Sequence, residues 1–282
     1  MSSRIFRDDV LADKVVLVTG GGTGIGVAIA RELAQLGARV TIASRKEAHI
    51  QPAAEGLSSE LGRPVRGATV DIRDRDSCAA VIDTVLAREG RIDLLVNNGG
   101  GQFLSPADQI TPKGWDAVVA TNLTGTWNLT RAAADAWMLA HGGHVINITM
   151  LTTRTFPGMA HSVAARSGVE AMSRTLAVEW ASRGVRVNCV APGVIASSGL
   201  NNYPDGVNLA RQLQSTIPLK RLGTCEEIAW AVAWLASPAG AYVTGQLFTI
   251  DGGRSLWGDW WPIPDPDPLP EVTVPKPPWE ST

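Results

Sequence analysis

The sequence is poor in cysteine and carries little net charge. Its three cysteines, Cys78, Cys189 and Cys225, have no metal-ligand spacing. An odd number of thiols favours reduced, buried cysteines over a disulfide framework. A formal net charge of -2 gives no bulk attraction to nucleic acid or to an acidic membrane surface. We therefore expect no metal, nucleic acid or membrane among the partners of the chain.

Long apolar runs are also missing, so no segment is predicted to span a bilayer. Residues 1–9 are charged and lack the apolar core of a signal peptide. The final residues, 280–282, do not form a Ser-Lys-Leu peroxisomal address. We therefore expect a cytoplasmic protein. With 282 residues and 45% hydrophobic content, the chain is long enough for a large core in a single α/β domain.

The most informative stretch begins at Val15. Residues 15–18 form a short β-branched run, and residues 19–26 read Thr-Gly-Gly-Gly-Thr-Gly-Ile-Gly. Apolar residues then recur at helical spacing from 27 to 36. A strand, a glycine turn and a helix let a pyrophosphate approach the first N–H groups of the helix. The alternative is a sharp turn that binds no ligand, which also needs glycine. A second strand at 39–43 completes a βαβ unit of about 30 residues, and this context favours a dinucleotide site.

The rest of the chain alternates between strand-like runs and helical periods. Further strands are predicted at 65–70, 91–96, 144–149, 185–190 and 245–250. Helices are predicted at 46–61, 113–140, 162–183 and 226–236, and one more is predicted to begin after an N-cap at Ser77. This rhythm predicts an α/β fold: a single Rossmann-type doubly wound domain of about seven parallel strands with helices on both faces. We expect a bend near Asn122 and Gly125. Residues 195–224 have little periodicity and are predicted to be mobile.

The composition changes at Trp257. Residues 257–282 are rich in proline and tryptophan and cannot form a regular helix or a central strand. We expect an extended tail here, after a nucleotide-binding domain at 1–256. Its tryptophans suggest that the tail packs against another surface, for example that of a neighbouring subunit.

Polar or glycine-rich groups follow the strands at their carboxyl ends. In an open parallel sheet such ends converge on one crevice, where ligands bind. The groups are at 19–26, 44–46, 71–72, 97–101, Thr149 and 192–193. Their succession predicts a ligand crevice and is hard to explain by turns alone.

From Val15 to Gly253 these elements resemble the short-chain dehydrogenase/reductase family. The glycine loop, Asp71-Ile72, the Asn-Asn-x-Gly element, Asn122 and Pro192-Gly193 follow in the order of the family. Longer strings resemble the peroxisomal trans-2-enoyl-CoA reductase branch, near the 2,4-dienoyl-CoA reductases; they lie at 97–106, 122–126, 161–168, 188–195 and 251–256.

The resemblance implies a nicotinamide cofactor. An acid after the second strand would bind the ribose 2′-hydroxyl, whereas cations accommodate a 2′-phosphate. The chain has Ser44, Arg45 and Lys46 there. A basic helix start is the alternative, but helix N-termini prefer acids, so NADPH is favoured over NADH. The implied cofactor-binding residues are Gly20, Thr23, Gly24, Ile25, Gly26, Ser44, Arg45, Lys46, Asp71, Ile72, Asn98, Gly99, Gly100, Arg166, Pro192, Gly193 and Ile195.

The chain departs from the family where the usual site has a serine, then a tyrosine and a lysine four residues apart. Aligned on residues 161–168, the tyrosine position is Ser162 and the lysine position is Arg166. The serine position falls around Thr149 or Met150. The only two tyrosines, Tyr203 and Tyr242, lie outside this segment, so the usual phenol acid for carbonyl reduction is missing.

This absence suits reduction of a C=C bond conjugated to a thioester, which needs a stabilised enolate oxygen. The predicted catalytic residues are Asn122, Thr149, Ser162 and Arg166. Ser162 would donate to the oxyanion, with Thr149 as a secondary donor. Arg166 would hold the cofactor ribose, and Asn122, by resemblance, would order a helix break and a site water. The proton for the α-carbon would come from either water or Tyr203.

We therefore expect an NADPH-dependent trans-2-enoyl-CoA reductase of fatty acid metabolism. The alternatives are a 2,4-dienoyl-CoA or carbonyl reductase and, in another class, a non-catalytic NADP(H) sensor. Residues 195–224 are expected to close over the acyl chain, with Lys220 and Arg221 either meeting CoA phosphates or forming an ordinary solvated pair. The resemblance also implies a homo-oligomer, either a dimer or a tetramer.

Overall fold

The computed structural model describes residues 6–203, 205–258 and 261–276. Its strands are β1 (Val15–Thr19), β2 (Arg39–Ser44), β3 (Val65–Thr69), β4 (Leu94–Asn97), β5 (Gly143–Ile148), β6 (Val185–Pro192) and β7 (Leu247–Ile250). They form one parallel sheet in the order β3-β2-β1-β4-β5-β6-β7. The predicted doubly wound α/β fold is confirmed. Its strand order reverses between β1 and β4, the place where such sheets bind ligands.

The central strand β1 explains why helices cover both faces of the sheet. Side chains alternate across a strand, so Val16 and Val18 pack into the core on one face, and Val15 and Leu17 pack into the core on the other. All four side chains are fully buried. A continuous apolar run is the sequence pattern that such a doubly buried strand requires.

The helices are α1 (Gly24–Gln35), α2 (Glu47–Leu61), α3 (Arg75–Glu89), α4 (Pro112–Val119), α5 (Gly125–Ala133), α6 (Leu139–His141), α7 (Ala160–Glu179), α8 (Gly206–Ser215) and α9 (Cys225–Ala236). Helices α1, α2 and α9 cover one face of the sheet. Helices α3, α5 and α7 cover the other. Within the described residues, no helix is both long enough and apolar enough to cross a bilayer.

Helices α4 to α6 form one continuous rod with two π-helical turns, at Ala120–Thr124 and Ala134–Met138. The first π turn contains Asn122 and ends where Gly125 begins α5, so the helix is irregular at the place where the sequence predicts a bend. A π turn inserts an extra residue into the helix and frequently occurs at functional sites. Here it places Asn122 on the side of the rod that faces the carboxyl ends of the strands.

One predicted helix start was wrong. Helix α3 begins at Arg75, and its N-cap is Asp74, whose carboxylate accepts a hydrogen bond from the N–H of Asp76 at 2.9 Å. Ser77 lies inside the helix, where its Oγ accepts from the N–H of Asp71 at 3.0 Å. Both residue types are good caps, and the sequence alone did not distinguish them.

Residues 195–224, which we term the lid, contain more regular structure than the sequence predicts. Helix α8 occupies residues 206–215, and a 3₁₀ turn spans Ser198–Asn202. The prediction of an irregular segment was therefore wrong over α8. The reason is that α8 spans only ten residues and follows the turn-forming residues Pro204 and Asp205, which mask its short apolar period in the sequence. Whether the lid moves stays a prediction.

The described part of the tail, 261–276, contains no helix or strand, as its prolines predict. It packs on the lid of its own chain, where Val272 is buried in a small apolar cluster. Gln214 Nε2 also donates to the carbonyl oxygen of Pro270 at 2.7 Å. Trp260, Trp279 and the chain ends at 1–5 and 277–282 lie outside the described residues.

Candidate active site

The turn between β1 and α1 has the shape of an anion cradle. Gly20 and Gly24 have φ angles of +62° and +51°, in the left-handed region that favours glycine. A Cβ on Gly26 would collide with the carbonyl oxygen of Gly20. The helix therefore starts against the turn, with Thr23 just before it and Ile25 facing the cavity. The first N–H groups of a helix lack intrahelical acceptors and suit a phosphate.

Asn98 fastens this turn to the end of β4. Its Nδ2 donates to the carbonyl oxygens of Thr19 at 3.0 Å and Gly20 at 3.2 Å. In return, Thr19 Oγ1 accepts from the N–H groups of Asn98 at 3.1 Å and Gly99 at 2.9 Å. Asn98 and Gly99, which were predicted to bind the cofactor, and Thr19, which was not, therefore hold the cradle at the point where the strand order reverses.

A pair of cations stands at the end of β2, outside the cradle. Ser44 is half-buried there, whereas Arg45 and Lys46 are exposed. Neither cation has an ion-pair partner within the part of the chain that the structure describes. The neighbouring carboxylate of Asp71 is instead held by Arg73, whose Nε lies 2.9 Å from Oδ1. This hydrogen bond lowers the pKa of Asp71, and the charge of Arg45 adds a smaller contribution.

Asn122 holds the loop that follows β4. Its side chain is fully buried, Oδ1 accepts from the N–H of Gly101 at 3.0 Å, and Nδ2 donates to the carbonyl oxygen of Gly101 at 2.8 Å. Because both ends are engaged, Asn122 positions this loop and does not face the cavity. Ile72 likewise packs inside the protein, where a Cβ on Gly125 would lie 2.7 Å from its Cγ1.

A buried guanidinium lies beside this loop. Arg166 is only 7% exposed, and its Nη1 donates to the carbonyl oxygen of Ile148 at 2.7 Å. Its Nη2 fills the space next to Gly100. Burial lowers the pKa of Arg166 to about 10, so the group stays cationic near neutral pH. Within the described residues its Nε–H has no acceptor. Arg166 also lines the cavity. This donor therefore suits a ligand oxygen.

Ser162 does not face the cavity directly. It lies in the first turn of α7 and does not cap it, because the helix begins at Ala160. Its side chain is fully buried, and its Oγ donates to Gln102 Oε1 at 3.0 Å and lies 3.5 Å from Met150 Sδ. Gln102 Nε2 then donates to the hydroxyl oxygen of Tyr203 at 3.1 Å. Gln102 and Tyr203, not Ser162, line the cavity.

The histidine beside Ser162 completes the start of α7. His161 is fully buried, and its Nδ1 accepts from the N–H of Ser162 at 2.8 Å. Its ring meets the ring of Phe103 edge-on, with 4.4 Å between the ring centroids. It therefore supports the helix start from inside and is not part of the cavity wall.

Thr149 lies in the cavity wall and contacts a buried acid, Glu170, which the sequence does not predict. Its Oγ1 is 3.4 Å from the carbonyl oxygen of Val190 and also reaches Glu170. Thr152 Oγ1 donates to Glu170 Oε2 at 2.7 Å. Burial raises the pKa of Glu170. A charged residue inside a helical period usually faces water, so the sequence contained no signal for this group.

Two cations of the lid, Lys220 and Arg221, are engaged within the protein. Lys220 is buried, and its Nζ lies 3.1 Å from the carbonyl oxygen of Ser215 and 3.2 Å from a carboxylate oxygen of Asp265 in the tail. Arg221 binds both carboxylate oxygens of Glu227, at 2.9 and 2.6 Å. Neither is therefore placed to meet a CoA phosphate, and Lys220 is not a solvated surface group.

These elements enclose a cavity of about 520 Å³, within the range of ligand pockets. The predicted site residues in its wall are Ile25, Asn98, Gly100, Thr149, Arg166, Pro192, Gly193 and Ile195. Apolar side chains also line the cavity, among them Leu104, Met150, Phe156, Met159 and, from the lid, Leu209 and Leu213. The cavity wall thus combines a few polar groups with a larger apolar surface.

Known proteins are similar to this chain in sequence and in fold. Residues 20–255 match a family model described as enoyl-(acyl carrier protein) reductase. The (3E)-enoyl-CoA-producing peroxisomal 2,4-dienoyl-CoA reductase of Danio rerio is 40% identical over 260 residues, which cover 90% of this chain and 85% of that protein. The 3-oxoacyl-(acyl-carrier-protein) reductase FabG of Chlamydia muridarum is 36% identical, over 88% of this chain and 100% of that protein. Among solved structures, a citronellol catabolism dehydrogenase (AtuB) of Pseudomonas aeruginosa PAO1 has a TM-score of 0.80 and 39% identity, covering 89% of this chain and 98% of that chain.

Proposed function

Because the chain belongs to the short-chain dehydrogenase/reductase family, we propose that it is an NADPH-dependent reductase of a C=C bond conjugated to an acyl-CoA thioester. One observation carries the proposal. The positions of the usual tyrosine and lysine hold Ser162 and Arg166, and the proton of Ser162 is already engaged by Gln102. A carbonyl reductase needs an acid beside the carbonyl oxygen, and this pair does not provide one.

The residues present fit the cofactor. When bound, NADPH supplies the hydride. The glycine cradle at Gly20 and Gly24 leaves room for the pyrophosphate, and the unpartnered Nε–H of Arg166 suits an oxygen of the ribose. Arg45 and Lys46 are exposed cations at the strand end where an acid would select NADH. A 2′-phosphate is the ligand that such cations favour.

The cavity suits the charge that builds up during reduction of a conjugated C=C bond. This charge collects on the thioester oxygen as an enolate. Arg166 is cationic and buried, so its charge acts through a medium of low dielectric constant. The apolar side of the cavity, with Leu209 and Leu213 from the lid, suits an acyl chain.

The relative from Danio rerio makes a 2,4-dienoyl-CoA the first candidate substrate of this proposal. A trans-2-enoyl-CoA, the substrate predicted from the sequence, is the second candidate because it presents the same thioester and its reduction also passes through an enolate. Either substrate would place the protein in fatty acid metabolism.

The test is to follow NADPH oxidation with 2,4-hexadienoyl-CoA, crotonyl-CoA and acetoacetyl-CoA, and then with NADH in place of NADPH. We expect the highest kcat/KM with the dienoyl thioester, a lower one with crotonyl-CoA and little turnover of acetoacetyl-CoA. Turnover of acetoacetyl-CoA alone would identify a carbonyl reductase, in line with the FabG relative. NADPH binding without turnover of any thioester would identify a sensor.

We also propose a cytoplasmic homo-oligomer, a dimer or a tetramer, assembled through the long helices. Val178 on α7 is 79% exposed and Trp115 on α4 is 41% exposed, so these helices leave apolar groups uncovered within one chain. Light scattering after size exclusion would give the mass in solution. A monomer at micromolar concentration would contradict the oligomer.

A further inference from the structure

A chain of hydrogen bonds joins α7 to the lid at the cavity. It runs from Ser162 Oγ to Gln102 Oε1 over 3.0 Å, and from Gln102 Nε2 to the Tyr203 hydroxyl oxygen over 3.1 Å. The three side chains come from α7, from the loop after β4 and from the lid. Gln102 and Tyr203 both line the cavity, whereas Ser162 is fully buried behind them.

The direction of these bonds leaves the phenol proton free. A carboxamide accepts at its oxygen and donates at its nitrogen. Because the Ser162 hydroxyl donates to the oxygen of Gln102, the nitrogen of Gln102 donates to Tyr203. The Tyr203 oxygen is thus an acceptor toward Gln102, and its own O–H is available to a ligand in the cavity.

The same contact stabilises Tyr203 after it has lost a proton. A phenolate oxygen would still receive the N–H of Gln102, and hydrogen bonds to charged groups are stronger than those between neutral ones. Gln102 is prevented from turning away because its other end is held by Ser162, which is fixed in the first turn of α7. This arrangement suits a group that gives up a proton and regains it.

We propose that Tyr203 protonates the α-carbon, C2, of the substrate and that Gln102 positions Tyr203 for this step. The inference rests on the proposed function. A bound NADPH would supply a hydride to C5 of a dienoyl thioester, and the electron pairs would shift to leave a dienolate whose charge lies on the thioester oxygen. The C2–H bond then forms as the Tyr203 O–H bond breaks and the thioester carbonyl re-forms. The phenolate regains its proton from water.

Product structure reports on this step independently of the rate. A dienolate protonated at C2 gives a 3-enoyl thioester, whereas protonation at C4 gives a 2-enoyl thioester. An acid held at one place by Gln102 selects one carbon, and water is less selective. The ratio of the two products therefore measures whether a positioned acid delivers the proton.

The experiment compares Tyr203→Phe, Gln102→Leu and Gln102→Glu with the wild-type protein. Tyr242→Phe is the matched control, because the Tyr242 side chain is fully exposed. Each variant is assayed with NADPH and 2,4-hexadienoyl-CoA, and the products are separated by chromatography. The affinity for hexanoyl-CoA, measured by calorimetry without cofactor, checks that the cavity is intact.

We expect Tyr203→Phe to lower kcat by roughly 10²- to 10⁴-fold, the usual effect of losing a general acid. KM and the hexanoyl-CoA affinity should change little, and the share of 2-enoyl product should rise. Gln102→Leu and Gln102→Glu both lose the N–H that faces Tyr203, so they should lower kcat and shift the product ratio in the same direction. Tyr242→Phe should match the wild type.

Two different failures are distinguishable. If the wild type reduces the thioester and Tyr203→Phe keeps its rate and product ratio, Tyr203 is not the acid, and the proposed function still stands. The proton then comes from water. If none of the thioesters is reduced by the wild type in the presence of NADPH, the proposed function is wrong, and this inference is wrong with it.

Discussion

Arg166 and Gly100 pack so closely that the guanidinium occupies the space of a side chain at position 100. The Arg166 Nη2 and the Asn122 Oδ1 both lie closer to an ideal Cβ there than real Cβ contacts allow. The next glycine differs, because a Cβ on Gly101 would have no neighbour within 4 Å. The packing therefore requires a glycine at position 100 but not at position 101.

Gly100→Ala should displace Arg166 and so weaken NADPH binding by tenfold or more. Because overpacking of a buried site costs about 1–3 kcal/mol, the melting temperature should fall as well. Gly101→Ala is the matched control and should leave both the NADPH affinity, measured by fluorescence titration, and the melting temperature nearly unchanged. Equal effects of the two substitutions would contradict the assigned contact.

Arg45→Asp should shift the cofactor preference from NADPH toward NADH. The substitution replaces a cation that suits a 2′-phosphate with an acid that suits a 2′-hydroxyl. Lys113→Asp makes the same charge change at the start of α4, another exposed helix start, and should leave the ratio of kcat/KM values for NADPH and NADH unchanged. An unchanged ratio in Arg45→Asp would place the 2′-phosphate elsewhere.

The pH dependence of stability should report the burial of Glu170. Burial raises the pKa of this carboxyl above its ordinary value of 4.5, with the hydrogen bonds from Thr152 and Thr149 opposing the shift. The folded state therefore binds the proton more tightly than the unfolded state. This contribution to stability is fully present below the unfolded-state pKa and is lost as the pH rises through the folded-state pKa.

Glu170→Gln cannot ionise and should remove this loss. Its free energy of unfolding should approach that of the wild type near pH 4.5, exceed it increasingly as the pH rises through the folded-state pKa of Glu170, and then differ from it by a constant amount. Glu179→Gln, at the exposed end of the same helix, should show no such trend. Denaturant unfolding at a series of pH values measures the difference, and parallel curves for wild type and Glu170→Gln would refute the prediction.

The sheet and its ligand crevice could be predicted because buried parallel strands need continuous apolar runs. The run in β1 packs on both faces of the sheet, and the turn that follows it needs glycine where φ is positive, at Gly20 and Gly24. These requirements are local, so a single stretch of sequence expresses them.

Other features depend on residues that meet only in the folded chain. Gln102 contacts Ser162, 60 positions away, and Tyr203, 101 positions away. Nothing near Gln102 in the sequence signals either contact. The tail is similar, because the buried Val272 packs on lid residues that are distant from it in the sequence, such as Ile217 and Leu222.

Val272→Asp should loosen the tail from the lid. A carboxylate at this buried position has no partner, and burying an unpaired polar group is costly. We expect a lower melting temperature and a several-fold higher KM for long acyl-CoA substrates, with NADPH affinity nearly unchanged because the glycine cradle is built from other elements. Leu269→Asp is the control in the same tail, since Leu269 is 49% exposed, and it should have a smaller effect on both quantities.

Arg166→Lys should make NADPH affinity depend on pH. Burial lowers the pKa of Arg166 to about 10, so the wild-type guanidinium keeps its charge between pH 7 and pH 9. A lysine starts from a lower pKa, and the same burial would lower it further toward neutrality. The variant should therefore bind NADPH at pH 7 and lose affinity as the amine deprotonates toward pH 9, whereas the wild type should keep its affinity over this range. A flat profile in the variant, measured by fluorescence titration, would mean that the charge at position 166 does not contribute to cofactor binding.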